Sequence, residues 1–403
     1  MALNLIRNAR MFFTTNVNAT TGVVDTTGFT ASNTREIQVL DGLSFSQATG
    51  SETVTVNEAG TAPVRGQRLF NTSLEPVEVT FSTYMRPYFN AGGAGTGDDQ
   101  IDCEESELWN AFATGAGNSN AWAVTTGASP VSKMTMAQSA KNQLKAFGLI
   151  VILDQTSYII DNCALDQATI DFGLDAISTI AWTARGTVMR NIGDSTFLSA
   201  DKPAFGTDVT FSGTYFTTSA PSTDNAKNKN TQAAFLANKL SQVALSSLQV
   251  SGAYGGGAST TYQLALTGGS ITLANNITYL TPANLGVVNT PVTYFTGTRA
   301  VSGTLNCYLK TGSSTDSGKL LDNMLDDSSN VEPAFALTLH IGGSSSTKPR
   351  VSLVMPSVVL QIPTINTEQV VSTAINFTAQ GLTSSAFDLA AVNEIEVQYY
   401  AAA

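Results

Sequence analysis

Val77, Val79 and Phe81 alternate with Glu78, Thr80 and Ser82 in an unbroken apolar and polar rhythm. A period of two sends successive side chains to opposite faces, so Pro76 to Tyr84 predicts a half-buried strand. The rhythm returns at Val301 to Leu309, and its surroundings return with it. Glu36 to Gln47 and Thr261 to Thr272 each read as a strand, a Gly-containing turn and a second strand. Alternating segments follow at Glu52 to Val56 and at Asn276 to Leu280. Helical spacing occurs at two matched places. Leu108, Trp109 and Phe112 share one face of a helix predicted over Glu104 to Phe112, as do Leu321, Met324 and Leu325 over Gly318 to Leu325. After each helix come an apolar strand (Phe147 to Leu153; Phe335 to Ile341) and a closing strand, turn and strand (Ala168 to Gly186; Val359 to Gly381). The starts correspond too, Leu5 to Phe13 with Leu236 to Ala244.

Such a repeat is a comparison inside one molecule, and two copies of a β-rich unit point to assembly before chemistry. The 403 residues are enough for two domains with their own cores. We expect a first domain over 1–205, a linker over 206–230 and a second domain over 231–403. The join falls where Thr214 to Asn230 loses periodicity and turns polar. The predicted class is all-β with minor α: two homologous β-sandwich or barrel domains, each flanked by one helix. Abundant Thr, Ser, Gly and Val suit that class.

Charge narrows the possible partners. Only 13% of residues are charged and the net charge is −11, which excludes a general grip on nucleic acid, since phosphate binding needs Lys and Arg. The low charge fits either surface covered by neighbours or solvation by uncharged Ser, Thr and Asn. Six acids lie between Asp98 and Glu107. They read either as a solvated loop feeding a helix N-terminus or as an acidic wall that DNA passes without sticking. The three cysteines, Cys103, Cys163 and Cys307, have no metal-ligand spacing and imply no disulfide framework. Arginines at positions 7 and 10 stand where a signal peptide needs an apolar core, and no run approaches membrane-spanning length. Synthesis in a cytoplasm is expected.

Catalytic signatures are sparse. The one histidine, His340, sits in an apolar strand and reads as structural. The glycines of 92–97 and 252–257 have no Gly-Lys-Ser/Thr ending, so they read as loop tips rather than phosphate loops. Asp171 and Asp175 form a carboxylate pair of the sort a glycosidase uses, without a spacing that fixes their separation. No catalytic, cofactor-binding or metal-binding residue is nominated, and no cofactor. Two rival classes stay open: a surface carbohydrate-binding β-module and a glycan-cleaving enzyme.

Several longer runs are more specific. Asn57 to Gly60, Arg65 to Tyr88, Tyr158 to Phe172, Ile180 to Gly186, Thr267 to Pro282 and Phe295 to Gly303 resemble the major tail tube proteins of long-tailed bacteriophages. The resemblance covers nearly the whole chain and is nearest to the subgroup with a duplicated tube domain. The ending at Tyr400 and three alanines is expected to leave out the immunoglobulin-like decoration of some relatives. The resemblance implies a virion protein whose rings stack into a hollow tube for DNA ejection, with no membrane association. It also implies other tail proteins as partners: tape measure, terminator and baseplate. Single-domain members close rings of six, so a two-domain chain closes a pseudo-sixfold ring with three copies, a hexamer being the alternative. A tail terminator or baseplate ring protein of the same fold is the other reading. Expected subunit or ring contacts are Arg65, Arg68 and Arg86, which would pair with acids across subunits, together with Phe45 and Glu58 on a long hairpin and its following loop. Trp109, Trp182 and Phe377 are expected core anchors, the last two at matched positions. The bore is expected to carry an excess of acids, so that DNA meets no deep wells.

Overall fold

The computed structural model describes residues 9–26, 33–54, 68–90, 100–115, 121–125, 131–136, 143–153, 156–191, 209–212, 215–218, 234–247, 261–285, 288–326, 334–345, 348–366, 370–381 and 393–401. The fold is all-β, with two short helices among the described residues. The chain opens with β1 (Ala9–Thr14), β2 (Thr34–Ile37), β3 (Ser44–Val54), β4 (Arg68–Tyr84), β5 (Pro87–Asn90), β6 (Gln100–Cys103) and α1 (Ser106–Ala113). There follow β7 (Trp122–Thr125), β8 (Val131–Thr135), β9 (Phe147–Leu153), β10 (Thr156–Asp171), β11 (Thr179–Gly186) and β12 (Val188–Asn191). Within the expected linker, β13 (Val209–Ser212) and β14 (Tyr215–Thr218) form an antiparallel pair. The second half supplies β15 (Gln242–Ser247), β16 (Thr261–Gln263), β17 (Leu266–Ala274), β18 (Ile277–Leu280), β19 (Thr293–Thr296), β20 (Ala300–Tyr308) and α2 (Ser317–Asp326). It ends with β21 (Ala334–Ile341), β22 (Arg350–Leu360), β23 (Thr364–Asn366), β24 (Ser372–Gln380) and β25 (Glu396–Tyr400).

Both halves are built on one plan. In the first, β10 is long enough to serve two layers. Its N-terminal part pairs with β9, which carries β1 and then β2. Its C-terminal part pairs with β11, which carries β4 and then β3. The second half repeats this: β22 pairs with β21, which carries β15 and β16, while β22 and β23 flank β24, which carries β20 and β17. The apolar set of each alternating strand points between the layers. Met11, Phe13, Leu149 and Val151 from one layer meet Val77, Val79, Phe81 and Trp182 from the other in a single core, which also takes in Leu337, Leu353, Leu305 and Phe377. Burying such side chains stabilises by roughly 1.5–3 kcal/mol each.

Trp109, Trp182 and Phe377 are all buried. The cross-strand partners of the last two differ in size. Trp182 lies opposite Phe81, whereas Phe377 lies opposite Gly303. A Cβ on Gly303 would come within 2.6 Å of the Phe377 ring, so the missing side chain makes room for the phenyl.

Candidate assembly interface

The halves meet along a β-junction inside the chain. The C-terminal part of β10 pairs antiparallel with β17, from Gln167 opposite Ala274 to Asp171 opposite Ser270. One sheet therefore runs through eight strands in the order β3, β4, β11, β10, β17, β20, β24, β23. On its inner face Ile170 lies opposite Ile271 and Ala168 opposite Leu273, all fully buried. Just beyond, Asn275 donates through Nδ2 to the carbonyls of Phe112 (3.1 Å) and Leu165 (3.0 Å), tying the junction to α1. Asn276 then takes a left-handed turn (φ 51°), a conformation Asn tolerates, and sends the chain into the β18–β19 hairpin.

That hairpin lies on the first half. Tyr279 Oη donates to the carbonyls of Arg185 (2.7 Å) and Asn162 (2.9 Å), and Tyr294 Oη to that of Leu144 (2.8 Å). The two tyrosines, Ile277, Leu144 and Ala164 form a small apolar cluster of their own. Asn289 exchanges backbone bonds with Thr72 and Leu74. A second link comes from the C-terminal strand, since β25 pairs with β8. Trp109 Nε1 donates to Tyr399 Oη (2.8 Å), which in turn donates to Glu105 Oε1 (2.5 Å). Burial pushes the Glu105 carboxyl up to about 7, against the pull of the Tyr399 hydrogen bond. Burial also raises the Tyr399 phenol well above its ordinary range, with the Glu105 charge adding to it.

The outer face of the eight-stranded sheet is made of hydroxyls and amides. One row crosses six strands as Ser82, Ala181, Thr169, Thr272, Ser302 and Thr378. Thr169 and Thr272 hydroxyls meet at 3.2 Å across the junction, and Thr304 donates to Asn376 Oδ1 at 2.8 Å. Among the described residues, the charges on this face include Glu78, Asp171 and Arg185, and Arg185 lies 3.9 Å from Glu78 and 3.5 Å from Asp166.

Several expected contact residues lie elsewhere. Arg86 is buried within the chain rather than offered to a neighbour: its Nη1 is 2.8 Å from Glu104 Oε1, and its guanidinium stacks 4.4 Å over Phe235. Phe45 is half-buried on β3, its ring 5.4 Å from that of Tyr158. Arg68 opens β4 opposite Val54. Arg65 and Glu58 lie outside the described residues, as do both glycine-rich loop tips. His340 Nδ1 is 2.8 Å from Ser352 Oγ, and burial lowers its pKa. All three cysteines are buried thiols outside any disulfide. Among the described residues, no three His, Cys, Asp or Glu side chains come together as a metal site. Asn275, Tyr279, Tyr294 and Tyr399 escaped the sequence reading; the Asn275-Asn276 doublet was the one local signal.

The comparison with known proteins decides what this junction belongs to. No family model matches the sequence. Tail tube protein pb6 of Escherichia phage T5 is 30% identical over 383 residues, which is 94% of this chain and 73% of that protein. The chain belongs to the phage tail tube protein family. As a tail tube protein it is a structural component of the virion, and its all-β duplicated architecture serves assembly. No helix among the described residues is long and apolar enough to cross a membrane.

Proposed function

We propose that three copies of this tail tube protein close a pseudo-sixfold ring, and that rings stack into the tube through which double-stranded DNA leaves the virion. The observation that carries this reading is the sheet that crosses from one copy of the duplicated unit into the other and ends, among the described residues, in two edges without a strand partner, β3 and β23. An arc with one apolar face and one hydroxyl face, open at both ends, closes when arcs join head to tail, and axial repetition of the ring gives a filament. The hydroxyl and amide face then lines the bore. Few charges there mean neither phosphate contacts to arrest DNA nor a strong repulsive field.

Stacking falls to the distal part of the β3–β4 hairpin, where Leu69 and Phe70 are exposed. Consecutive on one strand, they give this ribbon an exposed apolar side chain on each face, available for a contact. The remaining partners are the other tail proteins at the tube's two ends. Electron microscopy of the purified protein tests the proposal. Hollow tubes whose rings have threefold or pseudo-sixfold symmetry are the expected result. Dispersed monomers across a range of concentrations favour a terminator or baseplate ring protein of the same fold.

A further inference from the structure

We infer that the junction inside the chain is the template for the junction between chains: the β3 edge of one copy, Ser44 to Ala48, pairs antiparallel with Ile362 to Asn366 of the next. The register would place Phe45 opposite Ile365 and Ala48 opposite Ile362. The inference rests on the ring reading above and specifies its contact.

Matched hairpin closures give the register, and the burial of β20 agrees with it. On the β17 side, the buried residues Val301, Leu305 and Cys307 of β20 take the places of Val77, Phe81 and Thr83 of β4. Gly303 then stands for Val79, and because Ile271 lies opposite Gly303 while Phe45 lies opposite Val79, Phe45 is the counterpart of Ile271. On the β10 side, the hairpin with β11 closes at Asp171 opposite Thr179, and the hairpin of β23 with β24 closes at Asn366 opposite Ser372. Matching the two closures makes Ile365 the counterpart of Ile170, with Thr373 and Ile180 as their buried neighbours on the inner face. Ile170 and Ile271 face each other in the internal junction, so Ile365 and Phe45 face each other in the external one.

Burial says which half of the contact is missing. Ile170 and Ile271 are 0% exposed, sealed by each other's strand. Their counterparts are left open: Ile365 is 45% exposed and Phe45 is only half-buried. Apolar side chains on the core-facing side of an unpaired edge require another strand, and the one strand known to fit that edge geometry is its homologue in this chain. The occupant is therefore a second copy.

The test uses four positions re-paired in full-length protein. Phe45→Cys with Ile365→Cys, and Ala48→Cys with Ile362→Cys, are each expected to cross-link on mild oxidation or with a short thiol cross-linker in assembled tubes, giving covalent dimers and trimers on denaturing gels. The exchanged pairs, Phe45→Cys with Ile362→Cys and Ala48→Cys with Ile365→Cys, are displaced by three residues, roughly 10 Å along a strand, and are expected not to. The native thiols are buried and serve as the background. Ile365→Lys gives a second arm: a chain that unfolds at the wild-type temperature and forms no rings. Normal tubes from Ile365→Lys, or tubes in which the exchanged pairs cross-link as well as the register pairs, overturn this pairing while leaving the tube itself standing. Wild-type protein that never forms rings overturns the ring reading and the pairing together.

Discussion

α1 and α2 occupy matched places in the two halves, but their surroundings differ. α1 is buried at seven of its eight residues, with Trp109 4.8 Å from Trp182 and hydrogen-bonded to Tyr399 of the last strand. α2 buries Leu320 and leaves Leu325 56% exposed. Intrinsic helix preference does not account for this, since both helices carry an apolar face. The difference lies in what stands beside them. α1 sits where the second half completes the first, whereas the corresponding flank of the second half has no third copy in the chain. A duplicated fold therefore has one satisfied junction and one unsatisfied one, and the unsatisfied one is read most directly from its satisfied twin.

The largest way to break the comparison is to damage the satisfied side. Trp109→Ala removes a fully buried indole and strips Tyr399 of its donor. A large-to-small change at such a site costs about 3–5 kcal/mol, which urea unfolding of the monomer will show as a lower midpoint. A loss below about 1 kcal/mol would mean that the halves are held together without α1.

Next in size is a pH effect confined to the same side. The folded Glu105 carboxyl keeps its proton up to about pH 7, whereas the unfolded chain releases it near 4.5. Its contribution is therefore complete below about 4.5, declines between 4.5 and 7, and is lost above 7, a change of about 3 kcal/mol. Glu105→Gln keeps an acceptor for Tyr399 and cannot ionise, so its stability is expected to be flatter across that window. Chemical unfolding of both proteins at a series of pH values compares the slopes, and identical slopes would remove Glu105 as the cause.

How much of this was legible depended on how local the signal is. Alternation in Val77 to Thr83 and the helical spacing of Leu108, Trp109 and Phe112 involve neighbours in sequence, and each element formed where its pattern lay. Register was less legible. Matching Glu36 to Gln47 with Thr261 to Thr272 residue by residue sets exposed Ser46 against fully buried Ile271; a slip of one flips every side chain to the other face. The bond between Trp109 and Tyr399 spans 290 residues and has no local trace. Arg86 is a related case: sequence shows a cation near acids, but not that Glu104 and Phe235 close around it.

A smaller effect belongs to the arm. Tyr279→Phe leaves the ring in place and deprives two carbonyls, those of Asn162 and Arg185, of their donor. The expected loss is about 1–2 kcal/mol in urea unfolding. Phe70→Ser, on the exposed hairpin of the other copy, is expected to change monomer stability by less than about 0.5 kcal/mol. Equal effects at the two sites would erase the distinction between a docked arm and a waiting one.

The smallest stability effect is expected at Leu325, and it sharpens the comparison most. In the free chain Leu325→Ser removes a side chain that is already more than half in water, so monomer stability should stay within about 0.5 kcal/mol of wild type. If α2 acquires in the ring the neighbours that α1 has in the chain, the same substitution leaves a polar group in a sealed apolar contact, and the critical concentration for tube formation rises. The two measurements must be read together. A stable monomer that assembles poorly places Leu325 in the external junction. A stable monomer that assembles as well as wild type would mean that α2 stays at the tube surface, and the correspondence between the two junctions would then extend to the strands without including the helix.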